Sequence, residues 1–184
     1  MAKDNRETEN REVSIGREIL SWVGVIVFAV ALALFLNAFI LVNAEVPTKS
    51  MENTIKAGDH IMGLRVSYWF KGPERGDIVV FKFPDDESQN FVKRVIGLPG
   101  DSIEILDGKV YINGSDTPLD EPYLKETPYG SFGTFTVPDG CYFMMGDNRN
   151  DSHDSRFWNH TYVTEDELIG KAYFKYYPGF QMLH

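Results

Sequence analysis

The hydrophobic positions of this chain begin with one long uninterrupted segment near the N-terminus. From Ile19 to Val42 the sequence has 24 consecutive uncharged residues, of which only Ser21 and Asn37 are polar. A helix needs about 20 such residues to cross the hydrocarbon core of a bilayer. The pattern therefore predicts one transmembrane helix over residues 19–42, with a tail at 1–18 and an outer domain at 43–184.

A cleaved secretory signal is the alternative interpretation of this segment. The letters VNA before Glu45 resemble the small-residue site at which such signals are cut. The apolar part of a secretory signal spans only about 7 to 15 residues, however. The length of the segment thus favours a helix that is retained as an anchor.

Basic residues on the two sides of the segment predict its orientation. The tail carries four of them, Lys3, Arg6, Arg11 and Arg17. Only Lys49 and Lys56 follow the segment within a comparable distance. Because basic flanks stay in the cytoplasm, we expect a single-pass protein of the cytoplasmic membrane, with a cytoplasmic N-terminus and an extracytoplasmic domain.

After the anchor the pattern changes to short β-branched and aromatic runs bounded by Gly or Pro, as is typical of strands. These runs are GDIVVFKF (76–83), NFVKRVIG (90–97) and GKAYFKYYP (170–178). In DSIEILDGKVYING (101–114), apolar and polar residues alternate on both sides of Asp107-Gly108, which fits the type I′ turn of a hairpin. Residues 115–133 have no clear period and read as a loop or small insertion. The outer domain is therefore predicted to be mostly β.

Composition restricts the partners and the chemistry. The formal net charge of −9 at pH 7 argues against nucleic acid as a partner, and we interpret the acidic surplus as a solvated surface. Cys141 is the only cysteine, so the chain can form no internal disulfide and no cysteine-based metal cluster. The domain must be stabilised by its core.

Two adjacent cations, Lys93 and Arg94, lie inside the apolar strand FVKRVI. Because side chains alternate between the faces of a strand, one of the two must sit among apolar neighbours. Burial would favour a neutral lysine, which is a general base, whereas arginine stays charged. The other interpretation, that both cations extend along a sheet edge into water, agrees equally well with the periodicity.

The polar segment MMGDNRNDSHDSRFW (144–158) admits several interpretations. A calcium loop would need ligands at alternate positions from Asp147, but Arg149 occupies the second of them and no glutamate closes the loop. An ordered turn would use Asp147 and Asp154 as acceptors from backbone amides and from Arg149 or Arg156.

A catalytic triad is the third interpretation, because His153 lies between Ser152 and Asp154. Consecutive residues do not point into one triad, and the members of such triads normally converge from separate segments. A catalytic role for His153 is therefore disfavoured.

Four motifs occur in a distinctive order: PTKSM just after the membrane span, then RGDIVVF, VKRVIGLPGD and MGDNRNDSHDSR. Together they closely resemble the sequence boxes of bacterial type I signal peptidases, membrane-bound Ser/Lys proteases that remove signal peptides from secreted preproteins. The resemblance extends from the anchor to Pro178. It implies an antiparallel β core with a smaller β insertion at about residues 101–140.

Carried over by position, the resemblance implies a catalytic site without metal or cofactor. Ser50 would be the nucleophile and Lys93 the general base. Thr48 would donate its hydroxyl to the oxyanion beside the Ser50 amide, and Ser152 would orient the Lys93 amine.

The remaining matched positions imply support and substrate binding. Asp147, Asp154 and Arg156 match an ion-pair network that holds the last box against the lysine strand. The shallow pockets for small substrate side chains would be lined by Val46, Pro47, Met51 and Phe91. The chain departs from the family pattern at four positions, Lys49, Asn53, His153 and Asn159, none of which is a reacting group.

Two alternatives to a signal peptidase remain at this stage. A self-cleaving Ser/Lys protease of the repressor type would share the dyad and the β fold, but should carry a DNA-binding domain in place of an anchor. A membrane-tethered β module could bind a partner without chemistry, although scaffolding alone does not explain both Ser50 and Lys93. The expected partners are signal peptides and the lipid bilayer, and the sequence indicates no oligomeric state.

Overall fold

A computed structural model describes the backbone of residues 2–184 and the side chains of residues 15–184. The chain divides into two compact units, of which the first ends at Ile40 and the second comprises Leu41–His184.

The first unit is a long helix. Helix α1 spans Ala2–Phe35 and continues as a π-helical turn over Leu36–Ile40. Its apolar part, Ile15–Ile40, has a mean hydropathy of 2.8, and the side chains of its most apolar stretch are not buried against the rest of the chain. This part is long and apolar enough to cross a membrane. The helix ends two residues before the predicted Val42, because Val42 is buried at 4% exposure inside the first strand.

The second unit is built from eleven strands. They are β1 (Leu41–Glu45), β2 (His60–Leu64), β3 (Ile78–Phe83), β4 (Asp86–Gly97), β5 (Ser102–Leu106), β6 (Lys109–Ile112), β7 (Gly133–Thr136), β8 (Cys141–Met145), β9 (Val163–Thr164), β10 (Leu168–Tyr177) and β11 (Gln181–Met182). Short 3-10 turns span Arg65–Tyr68, Arg149–Asp151 and Glu165–Glu167.

All strand pairs are antiparallel and form two sheets. The larger sheet has the order β1-β2-β10-β3-β4-β8-β9, with β11 beside β10. The smaller sheet has the order β6-β5-β7 and lies within residues 102–136. The prediction of a mostly antiparallel β fold with a smaller β part is confirmed.

The three predicted strands correspond to β3, β4 and β10, and β4 begins earlier than its apolar run. The hairpin of β5 and β6 also forms as predicted. Asp107 and Gly108 both have positive φ, at 50° and 77°, as a type I′ turn requires. Strands β1, β2, β7, β9 and β11 were not predicted. Strand β1 was missed because it begins inside the apolar segment that was assigned to the membrane.

The position of Lys93 follows from the register of the central strands. On β4, Lys93 pairs with Val79 of β3, and Val95 pairs with Met144 of β8. Val79, Val95 and Met144 are fully buried and belong to one apolar cluster. Lys93 is thus carried by a central strand of the larger sheet, one residue before the part of β4 that also pairs with β8.

Candidate active site

The turn that follows β1 holds Ser50. Glu52 N donates to the Lys49 carbonyl at 2.9 Å, and Ile55 N donates to the Met51 carbonyl at 2.8 Å. Met51 and Ile55 are fully buried, so they fasten the turn to the core. Ser50 itself is 5% exposed, and its position is therefore determined by packing on both sides.

Lys93 reaches Ser50 from β4. The Lys93 Nζ lies 2.6 Å from Ser50 Oγ and 3.3 Å from the Val92 carbonyl oxygen. Lys93 is 4% exposed, and desolvation lowers the pKa of its amine to about 8, against the opposing effect of the nearby Asp154 and Asp147 carboxylates. Neither cation of the strand extends into water at an edge. The Lys93 amine contacts the Ser50 hydroxyl, and the buried Arg94 guanidinium forms an ion pair with Asp147.

Arg94 is paired with Asp147 through two hydrogen bonds. Its Nε and Nη2 donate to the two Asp147 carboxylate oxygens at 2.8 and 2.7 Å. Thr54 Oγ1 also donates to Asp147 at 2.5 Å. The carboxylate of Asp147 therefore joins the Ser50 turn, through Thr54, to the lysine strand, through Arg94.

Asp154 and Arg156 form a second pair within the last motif. The Arg156 Nε and Nη2 donate to the Asp154 carboxylate at 2.8 and 2.9 Å, and Gly146 N donates to it at 3.0 Å. Arg149 is not part of this pair, since its guanidinium contacts Glu121, with Nη1 at 3.1 Å from Oε2. The turn interpretation was therefore correct for Asp154 and wrong for Asp147, whose partner is Arg94.

Ser152 is buried close to Gly146. A methyl group on Gly146 would lie 2.2 Å from Ser152 Oγ and 2.4 Å from the Ser50 carbonyl oxygen. The Ser152 hydroxyl has no hydrogen-bond partner within the described residues, so its expected contact with Lys93 is not made in this conformation. Only a residue without a side chain allows these backbone and hydroxyl groups to approach so closely.

Thr48 lies on the exposed side of the same turn. Its Oγ1 is 3.1 Å from Ser50 Oγ, while the residue itself is exposed. Within the described part of the chain the Ser50 N–H is not bonded to any backbone carbonyl of a turn or loop. Two donors, the Thr48 hydroxyl and the Ser50 amide, are therefore available on this turn.

A cleft of about 690 Å³ passes along Ser50 and Lys93. One wall is formed by residues 43–50, and the other by residues 89–93 of β4 with Asp151 and His153. Of the expected substrate residues, Val46, Pro47 and Phe91 line the cleft. Met51 does not, because it is fully buried in the core with Ile55.

His153 lies on the rim of the cleft and is exposed. Its ring centroid is 6.0 Å from that of Phe83 and 6.4 Å from that of Trp158. The basic group that contacts the Ser50 hydroxyl is the Lys93 amine and not the His153 imidazole. The structure therefore does not support a Ser-His-Asp triad around His153.

Asn53 occupies a position at which the family that the sequence resembles often has proline. Its φ is 96°, a left-handed conformation that proline cannot adopt and asparagine tolerates. Its side-chain amide donates to the Tyr123 carbonyl at 3.0 Å, which ties the Ser50 turn to the part of the chain between β6 and β7.

Three contacts around the site were not anticipated from the sequence. They are Arg94 with Asp147, Arg149 with Glu121, and Asn148 with the backbone of the Ser50 turn. The one sequence signal for these contacts was the pair of adjacent cations Lys93 and Arg94 in β4. Their side chains lie on opposite faces of the strand, so each needs a different partner. The partners are separated from these residues by 28 to 99 positions, and no local pattern encodes such contacts.

Comparison with known proteins gives one consistent family. Residues 19–177 match the family model described as signal peptidase, peptidase S26. "Probable signal peptidase I-2" of Synechocystis is 37% identical over 181 residues, which cover 96% of this chain and 78% of that protein. Signal peptidase I of Bacillus licheniformis is 34% identical over 181 residues, with 93% and 95% covered.

A crystal structure of a signal peptidase I from Enterococcus faecalis has 37% sequence identity and a TM-score of 0.48, covering 55% of this chain and 97% of that one. Since the family model covers most of the chain and curated relatives match over nearly their full length, this chain belongs to the signal peptidase family, peptidase S26.

Proposed function

We propose that this chain is a serine endopeptidase that removes signal peptides from secreted preproteins, with Ser50 as nucleophile and Lys93 as general base. The observation that carries the proposal is the buried 2.6 Å contact between the Lys93 amine and the Ser50 hydroxyl. A serine hydroxyl is a weak nucleophile until a base accepts its proton. A lysine whose pKa is lowered to about 8 is a competent base near neutral pH.

The first step is the attack of Ser50 on the scissile carbonyl. The hydroxyl proton moves to the neutral Lys93 amine while the Ser50 oxygen bonds to the carbonyl carbon. The carbonyl oxygen becomes an oxyanion, which the Ser50 N–H and the Thr48 hydroxyl stabilise. The exposed position of Thr48 on the cleft side of the turn supports this role.

The second step releases the mature protein. The Lys93 ammonium returns its proton to the leaving amine, and the signal peptide stays bound to Ser50 as an ester. Lys93, neutral again, then takes a proton from water, whose oxygen attacks the ester carbonyl. When this intermediate collapses, the Lys93 ammonium returns the proton to the departing Ser50 oxygen, and the signal peptide leaves with a free carboxyl group. No step requires a metal or cofactor.

The substrate lies extended in the cleft. Within the described residues β1 pairs with β2 alone, and β4 pairs with β8 only from Arg94 onward, so both walls of the cleft carry strand edges. An extended peptide can bond to such edges through its backbone. Val46, Pro47 and Phe91 leave shallow apolar space, which favours small side chains before the cut.

The residues around the dyad support it. Ser152, packed against Gly146 and with an unpartnered hydroxyl, accepts a hydrogen bond from the Lys93 amine during turnover. The pairs of Arg94 with Asp147 and of Arg156 with Asp154 hold the last motif in place. Both pairs are almost completely buried, which supports a structural role rather than contact with substrate.

The protein acts as a single-pass membrane protein with its N-terminus in the cytoplasm and its β unit outside. The apolar segment Ile15–Ile40 and the excess of Lys and Arg before it, four against two after it, support this arrangement. Ser50 follows Ile40 by ten residues, which span at most about 36 Å when extended. The nucleophile is therefore tethered near the bilayer surface, where a signal peptide presents its cleavage site.

The test uses the full chain in detergent micelles with a purified preprotein. Wild type should give one product whose new N-terminus lies at the signal-peptide boundary, read by N-terminal sequencing. Ser50→Ala should give no product while its thermal unfolding matches wild type. Cleavage by Ser50→Ala at the wild-type rate would refute the proposal.

A further inference from the structure

Asn148 contacts both carbonyl groups that flank the nucleophile. Its backbone N–H donates to the Ser50 carbonyl at 3.0 Å, and its side-chain Nδ2 donates to the Lys49 carbonyl at 3.0 Å. Asn148 is 2% exposed and lies at the start of the turn Arg149–Asp151. Since a carbonyl oxygen can only accept, the side-chain atom that faces Lys49 must be the amide nitrogen.

This contact determines the direction of the Ser50 N–H. In a planar trans peptide, the carbonyl of one residue and the N–H of the next point to opposite sides. The Lys49 carbonyl points toward the buried Asn148, so the Ser50 N–H points the other way. Ser50 and the exposed Thr48 both line the cleft, where a substrate carbonyl oxygen would meet this N–H.

The Asn148 side chain is not needed to satisfy the Lys49 carbonyl, because Glu52 N already donates to that oxygen at 2.9 Å. Its own Oδ1 is buried and has no hydrogen-bond partner among the described residues. Burying an unpaired amide oxygen is unfavourable, and an apolar side chain of the same shape would avoid this. The amide is thus costly for stability and has a contact only with the peptide that carries the oxyanion donor.

We propose that Asn148 is a positioning residue that fixes the Lys49–Ser50 peptide so that the Ser50 N–H is aimed at the oxyanion. The inference rests on the proposed function and adds a residue that acts through the Ser50 backbone, without touching substrate. Asn148 holds the two peptide groups on either side of the Ser50 Cα, with its side chain on the Lys49 carbonyl and its backbone on the Ser50 carbonyl.

The experiment compares Asn148→Leu, which keeps the shape and removes the donor, with Asn148→Ala, in the full chain on one preprotein-derived peptide. We expect kcat to fall roughly 10- to 100-fold, somewhat less than the loss of an oxyanion donor, with KM within about twofold of wild type. Affinity for a peptide aldehyde, which forms an oxyanion on Ser50, should fall by a similar factor. Affinity for the released signal peptide should not change.

The matched control is Asn150→Leu. Asn150 lies on the same turn, but its amide donates to the Thr127 carbonyl at 3.1 Å and its Oδ1 accepts from Tyr129 N at 3.2 Å. Its kcat should equal that of wild type. A purely structural role for Asn148 would lower the affinity for aldehyde and signal peptide together, and that result would overturn the inference.

The outcomes separate the inference from the proposed function. If wild type and Asn148→Leu cleave with equal kcat, the positioning role is wrong and the proposed function stands. If wild type cleaves no faster than Ser50→Ala, the proposed function is wrong and the positioning role falls with it. Should Asn148→Leu fail to fold, the kcat of Asn148→Ala decides.

Discussion

Arg94 and Asp147 form a buried bidentate ion pair. The side chains are 2% and 0% exposed, and the two hydrogen bonds measure 2.8 and 2.7 Å. The third guanidinium nitrogen of Arg94 donates to the carbonyls of Gly76 and His184 at 2.7 and 2.8 Å. Because Arg94 follows Lys93 and Asp147 follows Gly146, this pair sets the spacing between the lysine strand and the segment that packs under Ser50.

Breaking this pair should destabilise the fold. Arg94→Met leaves the Asp147 carboxylate buried without its cation, which typically costs about 3–5 kcal/mol in free energy of unfolding. The double variant Arg94→Met/Asp147→Leu should recover much of that loss, since no unpaired charge remains. Urea unfolding of the two variants and of wild type measures both changes.

Lys125→Met is the control for this experiment. Lys125 pairs with Glu52 at 3.1 Å on the surface, and such pairs contribute less than about 1 kcal/mol. An Arg94→Met variant as stable as this control would show that the buried pair does not hold the site together.

The pH dependence of turnover should report Lys93. Below its pKa of about 8 the amine is protonated and cannot accept the Ser50 proton, so kcat/KM should rise with pH through a midpoint near 8. Lys93→Met should be inactive at every pH although folded. Initial rates on one preprotein from acid to alkaline pH give the profile.

His153→Ala tests the competing base. His153 lies on the cleft rim, so this variant changes the wall of the cleft but not the Lys93 contact. The midpoint should stay near that of wild type. Inactivity of His153→Ala at every pH would instead identify His153 as the base.

Removing the Thr48 hydroxyl should lower turnover without affecting the fold. Thr48→Val keeps the branched shape and loses one oxyanion donor, so kcat should fall about 100-fold with KM nearly unchanged. Thr48→Ser retains the hydroxyl and should stay within about tenfold of wild type. Turnover by Thr48→Val within twofold of wild type would exclude Thr48 from the oxyanion site.

Adding a methyl group to Gly146 should displace the Ser50 turn from the strand that carries Lys93. The new carbon would lie 2.2 Å from Ser152 Oγ and 2.4 Å from the Ser50 carbonyl oxygen, so the turn must move. A shift near 1 Å in a catalytic group costs about 100-fold in rate, and Gly146→Ala should lose that much kcat. Single-turnover kinetics on the preprotein measures the chemical step directly.

Two variants control this prediction. Gly24→Ala adds a methyl group that meets no atom within 4 Å and should be neutral. Gly146→Ala/Ser152→Gly removes the clash with Ser152 but keeps the one with the Ser50 carbonyl, so it should cleave more slowly than Ser152→Gly alone. Full activity of Gly146→Ala would show that this close packing is not required.

The local sequence determined the apolar helix, three strands of the larger sheet and the hairpin of β5 and β6. The charge-free run predicted the apolar helix, because crossing a bilayer requires a continuous apolar length that few other structures need. The alternation around Asp107-Gly108 predicted the hairpin, because a type I′ turn needs two residues that tolerate positive φ. Strand β1 was missed because a buried strand and the end of a membrane helix are equally apolar.

Part of the site was also accessible from the sequence. Four motifs in order identified Ser50, Lys93 and Thr48 by resemblance, and the structure places Thr48 Oγ1 and Lys93 Nζ at 3.1 and 2.6 Å from Ser50 Oγ. The hydrophobic periodicity alone did not distinguish Lys93 from Arg94, because both lie in the same apolar strand. A buried charge on either face needs a partner, and the periodicity does not show which residue that partner is.

Only the tertiary structure decided which partners each of these two cations has. Burial in the centre of the sheet lowers the pKa of Lys93, while the Asp147 carboxylate, supplied by the segment after β8, gives Arg94 a bidentate partner. Met51 was likewise separated from the other expected pocket residues by its complete burial. Desolvation and ion pairing depend on which distant segments pack together. No local pattern in the sequence shows these contacts, which exist only once the whole chain has folded.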